Sequence, residues 1–304
     1  MNSVTFKCEV VTPMFLAGAD GIEPDLRPPS IKGAMRFWWR ALHGYMDVKT
    51  LREKEVEVFG GGGDSAKRSR LIIKTSHPKW DGVYEAPMLP HKPHKRDQVW
   101  KEAYKPENTV FDVQFRISHG DREFDLEKFR SFFILTLLLG GFGKRSRRGF
   151  GSVKITGIKS NDQDYLEALD MPKTLDEILC FISLFNADYK IGHNYAALKI
   201  SLNKSAYPER QYPYIEKIQI GNSAYADYSS LLYKVGEATH DFKDNDPSLG
   251  YAETQNRFAS PVFVSAIKYG INDYRAIITT LHMAEKNKKP VNWQKQEDFI
   301  NAIL

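Results

Sequence analysis

From Val4 to Ile158 the hydrophobic period of the chain alternates between two and helical in a fixed order, and that order narrows the possible folds more than any other feature. Val4 to Val11 (VTFKCEVV) alternates as a strand does. In Pro13 to Pro29, Gly18, Gly21, Pro24 and Pro28 exclude a long regular element. Ser30 can then cap a helix running to about Tyr45, with Ile31, Met35, Trp38, Leu42 and Tyr45 at helical spacing. A second short helical stretch, Leu51 to Val58, ends in Phe59 and four consecutive glycines. Arg70 to Thr75 and Val110 to Ser118 read as strands, the latter apolar at Val113, Phe115 and Ile117. Between them His77 to Asn108 is polar, rich in Pro, Lys and His and without a period, so a mobile or partner-ordered loop is expected. Asp125 caps a helix from Leu126 to Leu139, and Ser152 to Ile158 is the last strand. Strand, helix, strand, strand, helix, strand is the split βαβ plan, with one antiparallel sheet backed by two helices.

The second half is less legible. Leu175 to Phe185 is a helix with Ile178, Leu179, Ile182 and Phe185 on one face; Ala226 to Thr239 and Trp293 to Leu304 also read as helices. Val262 to Tyr269 reads as a strand, and Ala276 to His282 suits either state. The expected class is α+β: two tandem ferredoxin-like (RRM-like, βαββαβ) domains with large insertions, residues 1–160 and 161–304. The strand order of the second is not fixed by pattern.

Charge divides at the same boundary. The first 160 residues carry 28 Lys+Arg against 19 Asp+Glu, a balance of +9, and the rest carry 15 against 19, a balance of −4. A polyanion partner for the first half follows as a hypothesis, with ordinary surface charge as the alternative. The acidic half suits a protein-docking surface. The longest strongly apolar run, Phe132 to Leu139, is eight residues, against roughly 20 for a membrane span. MNSVTFKCEV has neither a basic nor an apolar leader region, and Cys8 and Cys180 sit in apolar segments. Reduced, buried thiols and a cytoplasmic location are therefore expected.

Two constellations carry chemistry. In LRPPSIKGAMRFWWRAL, with the apolar stripe assigned to Ile31, Met35, Trp38 and Leu42, the residues Lys32, Arg36, Trp39, Arg40 and His43 share another side of the helix. Cations interleaved with an aromatic suit single-stranded nucleic acid, phosphates meeting Lys and Arg while a ring stacks on a base. The same spacing also suits two core tryptophans beside a solvated basic face. Gly33 costs this helix about 1 kcal/mol against Ala, which asks for a packing or close-approach reason. The second constellation, GGFGKRSRRGFGSV, sets Gly140, Gly141, Gly143, Gly149 and Gly151 around Lys144, Arg145, Arg147 and Arg148. Successive amides in a glycine-rich loop can cradle an anion, and the cations would lie beside them. The loop follows a helix and precedes a strand, the reverse of a P-loop, and lacks the GxxxxGK[ST] and Rossmann spacings. A solvated basic turn is the alternative.

Taken with FGGG and with RFASPVFV at Arg257 to Val264, these segments resemble the RAMP superfamily of CRISPR proteins, and most closely the first RAMP subunit of the type III-B Cmr effector complex. The glycine-rich loop marks the superfamily, and RPPSxKGxxRFWWRA picks out the subunit. The resemblance implies two tandem ferredoxin-like domains and a non-catalytic, RNA-binding role near the 3′ end of the CRISPR RNA, helping to capture target RNA. It also implies neighbouring RAMP subunits as partners, with the nuclease activities residing in other subunits. Arg27, Lys32, Arg36, Trp39 and Arg40 match the helix signature; the loop glycines and cations match the other. Unusual are the run Gly60 to Gly63 and the weak signature of the second half.

The alternative of another class is a metal-independent CRISPR endoribonuclease, for which His43, Tyr45 and His119 are the candidate acid and base. A pure scaffold, its basic face binding protein, is a third reading. No cofactor or metal is called for: His91 and His94 lack a Cys partner, and Asp241, Asp244 and Asp246 lack the glycine and terminal Glu of a calcium loop.

Overall fold

A computed structural model describes residues 3–63, 66–79, 82–92, 99–117, 124–160, 167–194, 197–202, 212–253, 257–283 and 290–304. The first half runs β1 (Ser3–Val10), α1 (Pro28–Leu42), α2 (Val48–Phe59), β2 (Leu71–Lys79), β3 (Val83–Pro87), β4 (Trp100–Tyr104), β5 (Val110–Ile117), α3 (Leu126–Leu139), β6 (Val153–Ser160) and β7 (Glu167–Ala168). The second runs α4 (Leu175–Ser183), β8 (Tyr189–Asn194), β9 (Ala197–Leu202), β10 (Ile215–Ile220), α5 (Tyr228–Asp241), β11 (Tyr251–Ala252), β12 (Arg257–Phe258), β13 (Val262–Gly270), β14 (Asp273–Leu281) and α6 (Trp293–Asn301). Two antiparallel five-stranded sheets result, in the orders β2-β5-β1-β6-β7 and β13-β14-β10-β9-β8.

Several boundaries differ from the sequence reading for local reasons. Helix α1 begins at Pro28, with Arg27 rather than Ser30 in the cap position. Proline at the first helical positions forfeits no hydrogen bond and arrives with a helical φ, so Pro28 and Pro29 start the helix themselves. The span His77 to Asn108 is not a structureless loop where it is described. It holds the end of β2 and the β3–β4 hairpin, whose Ala86 and Ala103 pack with Phe15, Phe150 and Leu232. Cys180 is exposed, contrary to expectation, while Cys8 is buried and its thiol pKa is raised well above the usual value by burial.

Helix α3 explains how the halves meet. Nine of its residues, from Phe129 to Leu139, are buried, so it is apolar all round and sits inside the molecule. One continuous core takes Phe6, Phe115, Phe133, Met35 and Trp38 from the first half and Ile178, Ile215, Phe263 and Ile277 from the second. On the far face of the second sheet Val264, Ala276 and Ile278 pack with Leu231 and Val235 of α5 and Phe299 and Ile300 of α6. Strands β13 and β14 are thus buried on both faces, which erases alternation. The pattern of Ala276 to His282 suits either state for that reason; Ala276 to Leu281 lies in β14, and His282 follows it.

Candidate nucleic-acid interface

Helix α1 buries Ile31, Met35, Trp38, Trp39, Ala41 and Leu42 and leaves Lys32, Arg36 and Arg40 half-exposed, one helical turn apart. Glu55 of α2, itself buried, lies beneath them. Arg36 Nε and Arg40 Nη1 each donate to the same oxygen, Glu55 Oε1, at 2.6 Å, and Arg36 Nη1 also donates to the Gly60 carbonyl at 3.2 Å. One carboxylate therefore orients two guanidiniums and neutralises only one of three charges, leaving a ledge of net +2. Partial burial, and to a lesser degree the like charge of Arg36 beside it, hold the Lys32 ammonium below its usual range. Glu55 is absent from the sequence reading; the signal available is that, of the three acids of α2, it alone stands in register with Leu51 and Phe59 on the buried face.

Trp39 and His43 do not join this ledge as side chains open to RNA. Trp39 is 7% exposed, and the His43 ring stacks on it at 4.1 Å with an interplanar angle of 27°. That contact and burial leave no ring face for a base. The His43 pKa is lowered to about 4 by burial, so the ring is neutral at pH 7, and its Nδ1 lies 2.7 Å from the Trp39 carbonyl as donor. Of the other acid–base candidates, Tyr45 is exposed with its phenol pushed up by partial burial, and His119 lies outside the described residues. Arg27 stands at the start of α1, 3.9 Å from Asp25.

The glycine-rich loop is built against protein rather than left open as an anion nest. Phe142 N, Lys144 N, Gly149 N and Gly151 N donate to the carbonyls of Gly151, Phe15, Val264 and Pro13. Glycine is required where the chain folds back most tightly: at Gly143 (φ 88°) a Cβ would lie 2.2 Å from the Phe15 carbonyl oxygen, and at Gly151 (φ 69°) 1.9 Å from that of Phe142. At Gly140 a Cβ would meet the Trp38 indole, and at Gly141 the carbonyl oxygens of Phe150 and Gly151. Gly149, also at positive φ, ends a short 3-10 turn formed by Ser146–Arg148.

Two of the four loop cations are likewise taken up by the fold. Arg147 lies 4.4 Å from the Phe263 ring centre and 5.6 Å from that of Phe37, and donates to the Ser260 carbonyl. Arg148 donates to the carbonyls of Arg147, Val262 and Leu249 and sits 5.3 Å over Phe299. Burial pushes both guanidinium pKa values down to about 10, so both stay charged at neutral pH. These arginines tie the loop to β13 and α6; the expectation that they meet phosphate is corrected by their protein partners. Arg145 lies over the Phe150 ring at 5.7 Å, and Lys144 is exposed, its Nζ donating to the Gly21 carbonyl at 3.0 Å. The two constellations do come together, through Trp38 against Gly140 and Phe37 against Arg147. Among the described residues no group of three His, Cys, Asp or Glu side chains could hold a metal ion, and no helix is long and apolar enough to cross a membrane.

Residues 7–154 match the family model of the RAMP superfamily. A CRISPR system Cmr subunit of Pyrococcus furiosus, Cmr1-2, is 30% identical over 184 residues, covering 51% of this chain and 96% of that one. Cmr1-1 of the same organism is 26% identical over 307 residues, covering 91% of this chain and 87% of its own. The chain belongs to the RAMP superfamily and, within it, to the Cmr1 subunits of the CRISPR Cmr system. In fold it is similar to the crystal structure of apo Cmr1 from Pyrococcus furiosus (TM-score 0.62, 20% identity, covering 100% of this chain and 96% of that one). It is similar also to a chain of the type III-B Cmr-beta complex bound to cognate target RNA (TM-score 0.59, 12% identity, covering both chains fully).

Proposed function

We propose that this chain is a non-catalytic RNA-binding subunit of its ribonucleoprotein effector complex, lying near the 3′ end of the CRISPR RNA and helping the complex to bind target RNA. Its partners are single-stranded RNA and neighbouring RAMP subunits, in the cytoplasm. The observation that carries this reading is the ledge on α1: Lys32, Arg36 and Arg40, two of them held in place by one buried carboxylate and together left with net +2. Guanidiniums already oriented lose little freedom on meeting a phosphate. Gly33 supports it, because among the described residues a Cβ there would meet no atom within 4 Å beyond its own stretch of helix. Among the described residues no packing contact accounts for that glycine, and an RNA backbone approaching the helix closely would.

The reading takes the molecule as two tandem ferredoxin-like units, residues 1–160 and 161–304. Strand order supports it: β2, β5, β1, β6 is the order of a split βαβ sheet, and β13, β14, β10, β9 repeats it with β9, which precedes β10 in the chain, in the fourth place. A non-catalytic role is supported by His43, whose neutral, buried and stacked ring has no access to a 2′-hydroxyl. The test is ultraviolet crosslinking of a single-stranded target RNA to the assembled complex, with crosslinks mapped to peptides. Crosslinks in the Lys32–Arg40 segment are expected; their absence there, with crosslinks elsewhere in the complex, overturns the assignment of the ledge.

A further inference from the structure

A second aromatic site lies away from α1, where the β3–β4 hairpin faces α5. Tyr84 and Trp100 of the hairpin, Tyr228 and Tyr233 of α5 and Phe150 of the glycine-rich loop line a cleft of about 710 Å³. That volume lies within the roughly 300–1,000 Å³ of small-ligand pockets. Tyr233 is 47% exposed, so part of its ring is open to a ligand entering the cleft. Ser229, Lys234 and Glu237 border the same space and supply donors and acceptors at the level of the rings. Phe150 is the junction with the loop, since Arg145 lies over its ring at 5.7 Å and Lys144 is exposed on the same loop.

We infer that this cleft binds unpaired bases of single-stranded RNA, an inference that rests on the RNA-binding reading above. Flat aromatic walls match a planar heterocycle, whose faces gain from stacking whatever its sequence. The bordering hydroxyl, ammonium and carboxylate can meet the polar edge of a base, which an aliphatic peptide side chain would leave unused. Stacking rather than charge binds here, because Lys234 is paired with Glu237 at 3.0 Å and the side chain of Asp227 caps the start of α5.

The experiment uses the assembled complex and a single-stranded RNA oligonucleotide carrying 5-iodouridine. Photocrosslinks at Tyr233, Tyr228 or Trp100 are expected. Tyr233→Ala with Tyr84→Ala should weaken RNA binding by roughly five- to hundredfold with little change in salt dependence, and Tyr233→Phe should retain it. Because Tyr233 is exposed, the single variant Tyr233→Ala folds and keeps the measurement decisive. Affinity within twofold of wild type in these variants, while Arg36→Ala/Arg40→Ala still weakens binding, overturns the cleft and spares the ledge. Salt-independent, negligible RNA binding by the wild-type complex overturns both. A neighbouring subunit's peptide seated in the cleft also overturns the inference.

Discussion

Arg148 donates to three carbonyl oxygens, a set of partners that a neutral side chain cannot replace. Hydrogen bonds to charged groups contribute more than neutral ones, and carbonyls left without donors cost more than the bonds alone. Arg148→Ala should therefore lower unfolding free energy by roughly 2–4 kcal/mol in denaturant titration, whereas Lys144→Ala, at an exposed position, should stay within about 0.5 kcal/mol. In the sequence the four cations of the loop look alike. What distinguishes them is which carbonyls of residues more than a hundred positions away approach the turn, and no local pattern records that. His43 gives a second residue-scale expectation. Its folded pKa of about 4 lies below the unfolded value of 6.5, so between these the unfolded chain takes up a proton that the folded chain does not. The associated stability is complete above pH 6.5 and is lost as pH falls toward 4, by roughly 2–4 kcal/mol in all. Urea unfolding at pH 7 and pH 4.5 should show that loss in wild type and a smaller one in His43→Phe.

At the scale of elements, α1 carries both its stability and its proposed contact on adjoining stripes. Gly33→Ala should stabilise the protein by about 1 kcal/mol, since among the described residues the added methyl meets no atom within 4 Å beyond its own stretch of helix, and should at the same time weaken RNA binding. Stabilisation without any loss of affinity would remove the close-approach argument. In the glycine-rich loop the opposite holds: Gly143→Ala and Gly151→Ala force a Cβ to 2.2 Å or less from a carbonyl oxygen at positive φ, and both should lose folded yield on expression. The period of α1 was readable because one face is apolar and another basic. Its two tryptophans were not separable by spacing: Trp39 is buried through α2 and its own His43, and that contact depends on where α2 docks. Hairpin β3–β4 escaped reading for a similar reason, its short strands being held by Phe15, Phe150 and Leu232 rather than by an alternating pattern of their own.

Across the whole molecule, the halves distinguished by charge are joined by much more than a linker. The α3 core, the Gly149–Val264 and Ser152–Ala266 hydrogen bonds, and Glu107 meeting Lys268 and Tyr274 bind the first sheet to the second. The glycine-rich loop is thus a joint between the halves, bonded from Gly149 to Val264 and from Arg148 to Val262 and Leu249. Of the +9 balance of the first half, +2 lies in the ledge, three cations of α1 and the one acid of α2 that orders two of them. The most direct measurement is RNA affinity of the assembled complex across a series of salt concentrations. Each phosphate neutralised on a single strand contributes about −0.7 to the log–log slope, so Arg36→Ala/Arg40→Ala should make the slope shallower by roughly 1.4. A slope equal to wild type in that variant, with the complex intact, would contradict the proposed contact.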